Sequence, residues 1–237
     1  MPLGAGYQLR ALFHPRPSVS DPISPTDRTR IIREPIRAVY DRDAIYQILD
    51  EAFVCHLGFS SEGHPFVIPT MFARVGDFLY FHGSAASRTL RSLSSGLPVC
   101  LTVTLSDGLV LARSVFNHSM NYRSVVALGT ATLIEDPAEK LRALEAFTEK
   151  LISGRWADAR QPNDNELKAT SILKLPLTEV SAKIRTGGVE DDADDYALNV
   201  WAGIIPLRLT AGAPERDPRC DVSIPTPSYA LSYRRSS

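Results

Sequence analysis

The sequence predicts a mainly β domain that closes into an antiparallel barrel, with a few helices on its outside. Three observations carry this. Strand-like runs follow one another in quick succession between residues 54 and 134, parted by turns such as Ser61-Glu62-Gly63 and Val75-Gly76-Asp77. Helical periodicity is confined to a few segments. Many short strands leave edges, and closure is the arrangement that removes them.

Proline marks the limits of the domain. Pro15, Pro17, Pro22 and Pro25 interrupt the first thirty positions, and Pro214, Pro218, Pro225 and Pro227 do the same after Leu209. Proline fixes φ and lacks an amide donor, so both ends read as arms outside the sheet. This gives an N-terminal arm over 1–33, a domain over 34–207 and a tail over 208–237.

Within the domain, Ile45, Ile48, Leu49, Ala52 and Phe53 form one face of a helix capped by Asp41 or Asp43. Strands are expected over Val54–Ser60, His64–Arg74, Phe78–His82, Val99–Leu105 and Leu109–Val115, with Ser106-Asp107-Gly108 as the last turn. A long strand over Tyr122–Ile134 is expected to bend at Gly129. Asp136 caps and Pro137 opens a helix to about Ile152, with Leu141, Leu144, Phe147 and Leu151 as its buried stripe. Ser171–Leu175, ended by Pro176, and Val180–Arg185 complete the strands.

Composition excludes several function classes. Lys plus Arg is 26 and Asp plus Glu is 27 in 237 residues, a net charge of -1, so no global field gathers nucleic acid or an anionic membrane. The one charge block, Glu190 to Asp195, is acidic and reads as a solvated loop or a charged lid. Cys55, Cys100 and Cys220 match no zinc or redox spacing. They read as reduced thiols, two in the core and one in the tail, which fits a cytoplasmic protein. No apolar run is long enough to span a membrane, and no signal peptide is visible; the arginines before Ile31 leave a transit peptide open. His14, His56, His64, His82 and His118 have no metal-ligand spacing, so no metal site is expected. Neither a dinucleotide fingerprint, a phosphate-binding P-loop nor a nucleophile elbow occurs.

Three stretches hold candidate chemistry. In Leu79–Leu93 a strand ends at His82, the small residues Gly83, Ser84, Ala85 and Ala86 follow, and a short helix starts near Ser87. Small residues let a ligand approach the backbone, and free N–H groups at a helix start attract anions. Arg88, one turn before Arg91, opposes the helix dipole unless an anion is near; a solvated surface Arg fits the same pattern. In His64–Thr70, Pro69 interrupts a strand, which leaves backbone groups free for a flat heterocycle or marks a plain edge strand. Arg113–Val126 gathers Asn117, His118, Ser119, Asn121, Tyr122, Arg123 and Ser124, either a site or a polar loop. His118 is the candidate acid or base there, and Arg113 a candidate for orienting substrate.

The order of these motifs resembles a known family. A strand with an interior Pro-Thr is followed by a Gly-Asp turn, LYFHGS, ASR with a helix, HSMNYRSVV, and then VSAKIRTG and WAGIIPL. Over about 34–207 this resembles the flavin-nucleotide-binding branch of the pyridoxamine 5′-phosphate oxidase-like split barrels, a group that includes nitroimidazole reductases. The resemblance implies a six-stranded antiparallel split barrel, homodimeric, with FMN at the dimer interface. It implies that Ile68, Pro69 and Thr70 contact the flavin ring, and that Phe81 and His82, with Gly83 and Ser84, meet the ring or its ribityl chain. Ser87 and Arg88 would hold the phosphate, and Tyr122, Arg123 and Ser124 would reach the flavin, often from the second subunit. Trp201 would close the site. Where the better-known oxidases continue Ser-Arg with Lys, Thr89 stands here, so Arg91 or Lys183 would supply the missing charge. The Arg pattern that holds pyridoxal phosphate is absent after Trp201. The implied function is FMN-dependent hydride or electron transfer to a small planar substrate. A non-catalytic flavin sensor, or the same barrel holding deazaflavin or haem, remains open.

Overall fold

A computed structural model describes residues 21–234. In chain order the elements are β1 (Ala38–Val39), α1 (Arg42–Glu51), β2 (Val54–Ser61), β3 (His64–Val75), β4 (Phe78–Ser84), α2 (Arg88–Ser94), β5 (Pro98–Leu111), β6 (Ser119–Thr130), β7 (Thr132–Leu133), α3 (Pro137–Leu151), α4 (Arg155–Asp158), α5 (Asp164–Ala169), β8 (Thr170–Pro176), β9 (Glu179–Arg185), β10 (Gly203–Pro206) and α6 (Ser228–Leu231).

All pairings are antiparallel, in the order β1-β9-β6-β5-β2-β3-β4-β8-β7, with β10 on β5. β7 continues β6 after one residue, the buried Ala131, and pairs with β8. The path therefore returns to its own strand, and six strands close a ring: β6 with β7, β5, β2, β3, β4 and β8. β1, β9 and β10 flank that ring, which is why ten strands are present where six were expected.

The ring encloses one main core that includes Leu57, Phe72, Leu79, Phe81, Leu101, Val103, Leu173 and Leu175. α1 closes one end with Ile45, Ile48, Leu49 and Ala52, as its period requires, and the Asp41 side chain accepts from the Ala44 amide at 2.8 Å. α3 starts at Pro137 under the Asp136 cap and covers β3 and β4 with Ala143 and Phe147. Its expected stripe is displaced. Leu151 is exposed and Leu144 only partly buried, because the contact runs through the small Ala143.

Three local expectations are corrected. Ser106-Asp107-Gly108 is not a turn but a bulge inside the continuous β5. Val99, Leu101, Val103 and Leu105 face inward before it, and Gly108 and Val110 after it. One extra residue resets the alternation so that both halves bury their apolar side. The long strand breaks at Ala131 rather than at Gly129. Glycine at 129 serves packing, since an added Cβ would lie 3.0 Å from Leu175 Cδ1. Cys55 is buried, but Cys100 points outward from β5, between the inward Val99 and Leu101, and is half-buried like Cys220. All three are free thiols.

Part of the N-terminal arm docks on the barrel. Ile23 is buried and its amide donates to the Tyr40 carbonyl at 2.9 Å, while Thr26 and Arg28 both bond to Glu179 on β9. At the other end Tyr229 of α6 bonds to Asp158 and Arg155 of α4. No helix among the described residues is long and apolar enough to cross a membrane.

One half-buried lysine makes stability depend on pH. Lys150 Nζ donates to the Leu49 carbonyl at 2.7 Å and lies 3.8 Å from the centre of the Phe72 ring. Burial pushes its pKa down to about 8, against the opposing pull of Asp50. A lysine whose folded pKa is depressed penalises folding while it is charged, and the penalty is relieved as pH rises through the folded pKa. Lys150 therefore contributes stability that increases between about pH 8 and the unfolded lysine range, opposed above about pH 9 by Cys55, whose thiol pKa is pushed up to about 12 by burial. Lys150→Met should stabilise the neutral-pH protein by about 1–2 kcal/mol and flatten this rise, as read by urea melts at pH 7 and pH 9.5. An unchanged pH slope in that variant would show that another group carries it.

Candidate functional site at the split between β3 and β4

The barrel is split along one seam. β3 pairs with β2 from His64 to Met71, but with β4 only from Phe72 to Val75. Past Phe81, β4 continues through His82, Gly83 and Ser84 with only β8 beside it. The β3 edge from His64 to Met71 thus faces no strand on that side, and Pro69 lies in the middle of it. Proline there spares the edge one donor and blocks strand addition. The sequence reading of Pro69 as an interruption and as an edge residue meets here, because the ladder stops at Met71.

The chain leaving β4 wraps the mouth of this seam. The Ala85 amide donates to the Ala169 carbonyl at 2.8 Å, the Ser87 amide to the Ser84 carbonyl at 2.8 Å, and the Ala86 amide to Ser84 Oγ at 3.2 Å. Ser87 caps α2, its Oγ accepting from the Leu90 amide at 3.5 Å. Gly83 lets α2 pack closely, since an added Cβ would lie 3.0 Å from Leu90 Cδ1 and the Leu90 side chain would have to shift. Arg88 projects back across the seam, its guanidinium carbon 5.6 Å from the centre of the Phe66 ring on β3. Phe66 in turn stacks on Phe59 of β2, centroids 5.4 Å apart. Arg88 forms no ion pair among the described residues, so its charge is available to an anion. Phe66 was not singled out from the sequence. The signal was present, because Phe59 and Phe66 flank the Ser61-Glu62-Gly63 turn at positions that pair across a hairpin.

Of the candidate residues, Ile68, Pro69, Thr70, His82, Gly83, Ser84, Ser87 and Arg88 gather around this seam. Phe81 does not line it. Its side chain is 0% exposed in the core, and its backbone is paired on both sides, to Phe72 and Leu173. What Phe81 contributes is the placement of His82. The His82 ring lies edge-on to Phe147, centroids 4.3 Å apart, and its Nδ1 is buried without a hydrogen-bond partner among the described residues. Burial lowers its pKa, which keeps the imidazole neutral.

The remaining candidates lie elsewhere. Tyr122, Arg123 and Ser124 are on β6, separated from β3 along the sheet by β5 and β2, roughly 14 Å away. Arg123 is held in a fork by Asp107 (2.8 and 2.9 Å) and Glu51, which raise its pKa, and Ser124 Oγ donates to the Lys183 carbonyl at 3.3 Å. Lys183 Nζ donates to the Arg33 carbonyl at 3.0 Å, on the flank of the sheet and away from α2. Trp201 is exposed before β10 and packs so closely on Gly203 that an added Cβ would meet its ring at 2.8 Å.

Arg113 and His118 form a third group. The Arg113 amide and guanidinium and the Ser114 amide all donate to Asp191 at 3.0–3.3 Å, and the Arg113 guanidinium sits 4.9 Å from the centre of the Tyr196 ring. Burial pushes the Asp191 pKa up, but these backbone and guanidinium donors outweigh it and hold the carboxyl below the ordinary range. Arg185, buried, bonds to Asn121 and to the Gly188 carbonyl, and Asn121 to the Gly187 carbonyl. The acidic loop is thus fastened to the β5–β6 connection through Asp191, where the sequence left a solvated loop or a charged lid open. His118 is exposed, its Nδ1 donating to the Ser114 carbonyl at 2.8 Å. Among the described residues, no three His, Cys, Asp or Glu side chains gather as a metal site.

Comparison with known proteins agrees with this geometry. The family described as pyridoxamine 5′-phosphate oxidase matches residues 41–184. A flavocytochrome of Azotobacter vinelandii is 43% identical, with 91% of this chain and all of that chain covered and a TM-score of 0.85. A protein of Mycobacterium smegmatis described as binding FAD and haem is 34% identical over 85% of this chain and all of its own, TM-score 0.81. A structure from Bacteroides thetaiotaomicron, whose name ties it to 5-nitroimidazole antibiotic resistance, is 26% identical over 62% of this chain and 86% of its own, TM-score 0.54. No curated protein matches the sequence. The closed ring, the seam between β3 and β4 and the match over 41–184 together show that this chain belongs to the pyridoxamine 5′-phosphate oxidase-like family of flavin-binding split barrels.

Proposed function

We propose that the protein is a flavin-dependent oxidoreductase that binds FAD at the β3–β4 seam and carries haem as a second redox group. The observation that carries this reading is the 43% identity to a flavocytochrome over 91% of the chain, joined to a seam whose residues fit a flavin nucleotide. Pro69 and its neighbours offer an unpaired strand edge to a flat ring, and Arg88 offers an uncommitted charge to a phosphate. Bound flavin supplies the hydride and electron chemistry; the chain's own part is to hold the ring at the edge of β3, anchor the phosphate and exclude water.

The relative described as binding FAD and haem favours FAD over FMN. A phosphate monoester carries about -1.5 to -2 at neutral pH, whereas each phosphate of a dinucleotide carries about -1. With Thr89 after Ser87-Arg88, and Lys183 engaged on the flank of the sheet, Arg88 and the exposed Arg91 are the guanidinium groups that α2 offers to a phosphate. FMN remains the alternative occupant of the same seam.

A homodimer completes the site in this reading. Tyr122–Ser124 lie too far along the sheet to reach the seam of their own chain, so they serve the seam of a partner copy. The large apolar surface supports pairing: Val115 and Phe116 are 89% and 91% exposed, and Leu109, Met120, Trp201, Ile204 and Ile205 are exposed on neighbouring elements. Native mass measurement is expected to give twice the chain mass.

The test of catalysis is anaerobic titration of the purified protein with NADH and NADPH. Bleaching of the flavin bands, followed by reduction of the haem, is the expected result. Reduction by dithionite but by neither nicotinamide, with or without added nitroaromatic or oxygen, would leave a flavin-binding protein without this activity.

A further inference from the structure

A groove of about 1100 Å³ runs beside the chain that leaves β10. Residues 207–211 form one wall, the end of α1 and the start of β2 form the other, and the β5 bulge with Arg123 is the floor. The first wall lies beyond residues 41–184, where the family matches. Pockets for drug-sized molecules run from about 300 to 1,000 Å³, so this groove suits a dinucleotide better than a single small ring. We propose that it binds a nicotinamide dinucleotide as electron donor, with Arg208 receiving the pyrophosphate, an inference that rests on the flavin half of the proposed function.

The lining offers both chemistries that such a ligand needs. Val54, Leu207 and Leu209 are exposed apolar walls for a flat ring. Arg123 on the floor is committed to Glu51 and Asp107. The Arg208 guanidinium makes no hydrogen bond or ion pair among the described residues, and Arg234 donates only to the carbonyl of its neighbour Tyr233. Three arginines thus meet two carboxylates, and the two uncommitted guanidinium groups favour an anion with paired oxygens. The frame is rigid. The Leu207 amide donates to the Asp107 carbonyl at 3.0 Å, and the Asp107 side chain is held in the Arg123 fork, so the backbone next to Arg208 is fixed on the floor. Arg123 also links the groove to the flavin. Tyr122–Ser124 serve the seam of a partner copy in the proposed function, so a ring lying against Arg123 would meet the partner's flavin, far from the Arg88 anchor of its own chain.

The test is isothermal titration of NAD+ and NADP+ into the full-length protein, flavin-free and loaded with FMN or with FAD. The wild-type protein is expected to bind at least one of the two nucleotides, with inorganic pyrophosphate competing. Arg208→Ala should weaken this binding about tenfold and Arg208→Glu further, the size of one charge-assisted contact, while flavin affinity stays as in the wild type. Arg160→Ala, which removes an exposed cation elsewhere, should bind as the wild type does. The reduced form of the bound nucleotide should bleach the wild-type flavin at a lower concentration than it does in Arg208→Ala. No binding in the wild type, or unchanged affinity in both Arg208 variants, would overturn the assignment. Binding to the FMN-loaded but not the FAD-loaded protein, with FAD affinity lost in Arg208→Ala, would also overturn it and give the groove to the adenylate half of FAD. A wild-type protein that binds the nucleotide through Arg208 but takes up no flavin would overturn the proposed function and leave the groove standing as a dinucleotide site.

Discussion

Phe81→Ala is expected to lower the free energy of unfolding by about 3–5 kcal/mol, the usual range for removing a large aromatic side chain from a packed core. The ring is fully buried among Phe72, Leu79 and Leu173, and the strand around it is paired on both sides, so the cavity cannot collapse by a local shift. Urea unfolding followed by circular dichroism gives the number. Flavin affinity, measured where the variant is still folded, should fall far less than stability. A loss below about 1 kcal/mol, or flavin binding abolished in a fully folded variant, would return Phe81 to the ligand surface where the family resemblance placed it.

Arg88→Ala is expected to do the reverse. Its guanidinium is exposed, makes no ion pair among the described residues and contacts the exposed side of Phe66, so the fold should hold. Flavin binding should weaken by about 1.5–3 kcal/mol, the typical worth of a charge-assisted hydrogen bond, which is roughly 10- to 150-fold in Kd. Arg88→Lys should recover only part of it, because an ammonium lacks the planar two-pronged geometry. Isothermal titration with FAD and with FMN measures both. Unchanged affinity for both nucleotides would remove the phosphate from α2.

The contrast between these residues shows what the sequence makes legible. Strand and helix identities follow from periods of two and 3.6, and α1, β2, β3, β4, β8 and β9 lie close to where their apolar patterns put them. The start of α2 near Ser87 was readable from the small residues before a short apolar stripe, with the Ser87 hydroxyl free to serve either the cap or a phosphate. The bulge in β5 was not. Ser106-Asp107-Gly108 has the composition of a turn, and only the partner strands β6 and β10 decide that the chain runs straight on. β10 itself was missed, since the exposed Ile204 and Ile205 alternate with nothing until β5 is beside them.

The site divides in the same way. Pro69, Ser87 and Arg88 announce themselves by local chemistry. The burial of Phe81, the unpartnered Nδ1 of His82, and the fastening of Asp191 by Arg113 and Ser114 are set by contacts between residues far apart in the chain. The alternation on β4 hints that Phe81 and His82 point to opposite faces. It does not say which face belongs to the core, and that is settled by Phe72 and Leu173.

The most direct test of a flavin at the seam is the visible spectrum of the purified protein, with mass analysis of the small molecules released by heat. Twin flavin bands and released FAD, with a Soret band from haem, are the predicted result. A colourless protein that also fails to take up added FAD or FMN would contradict it.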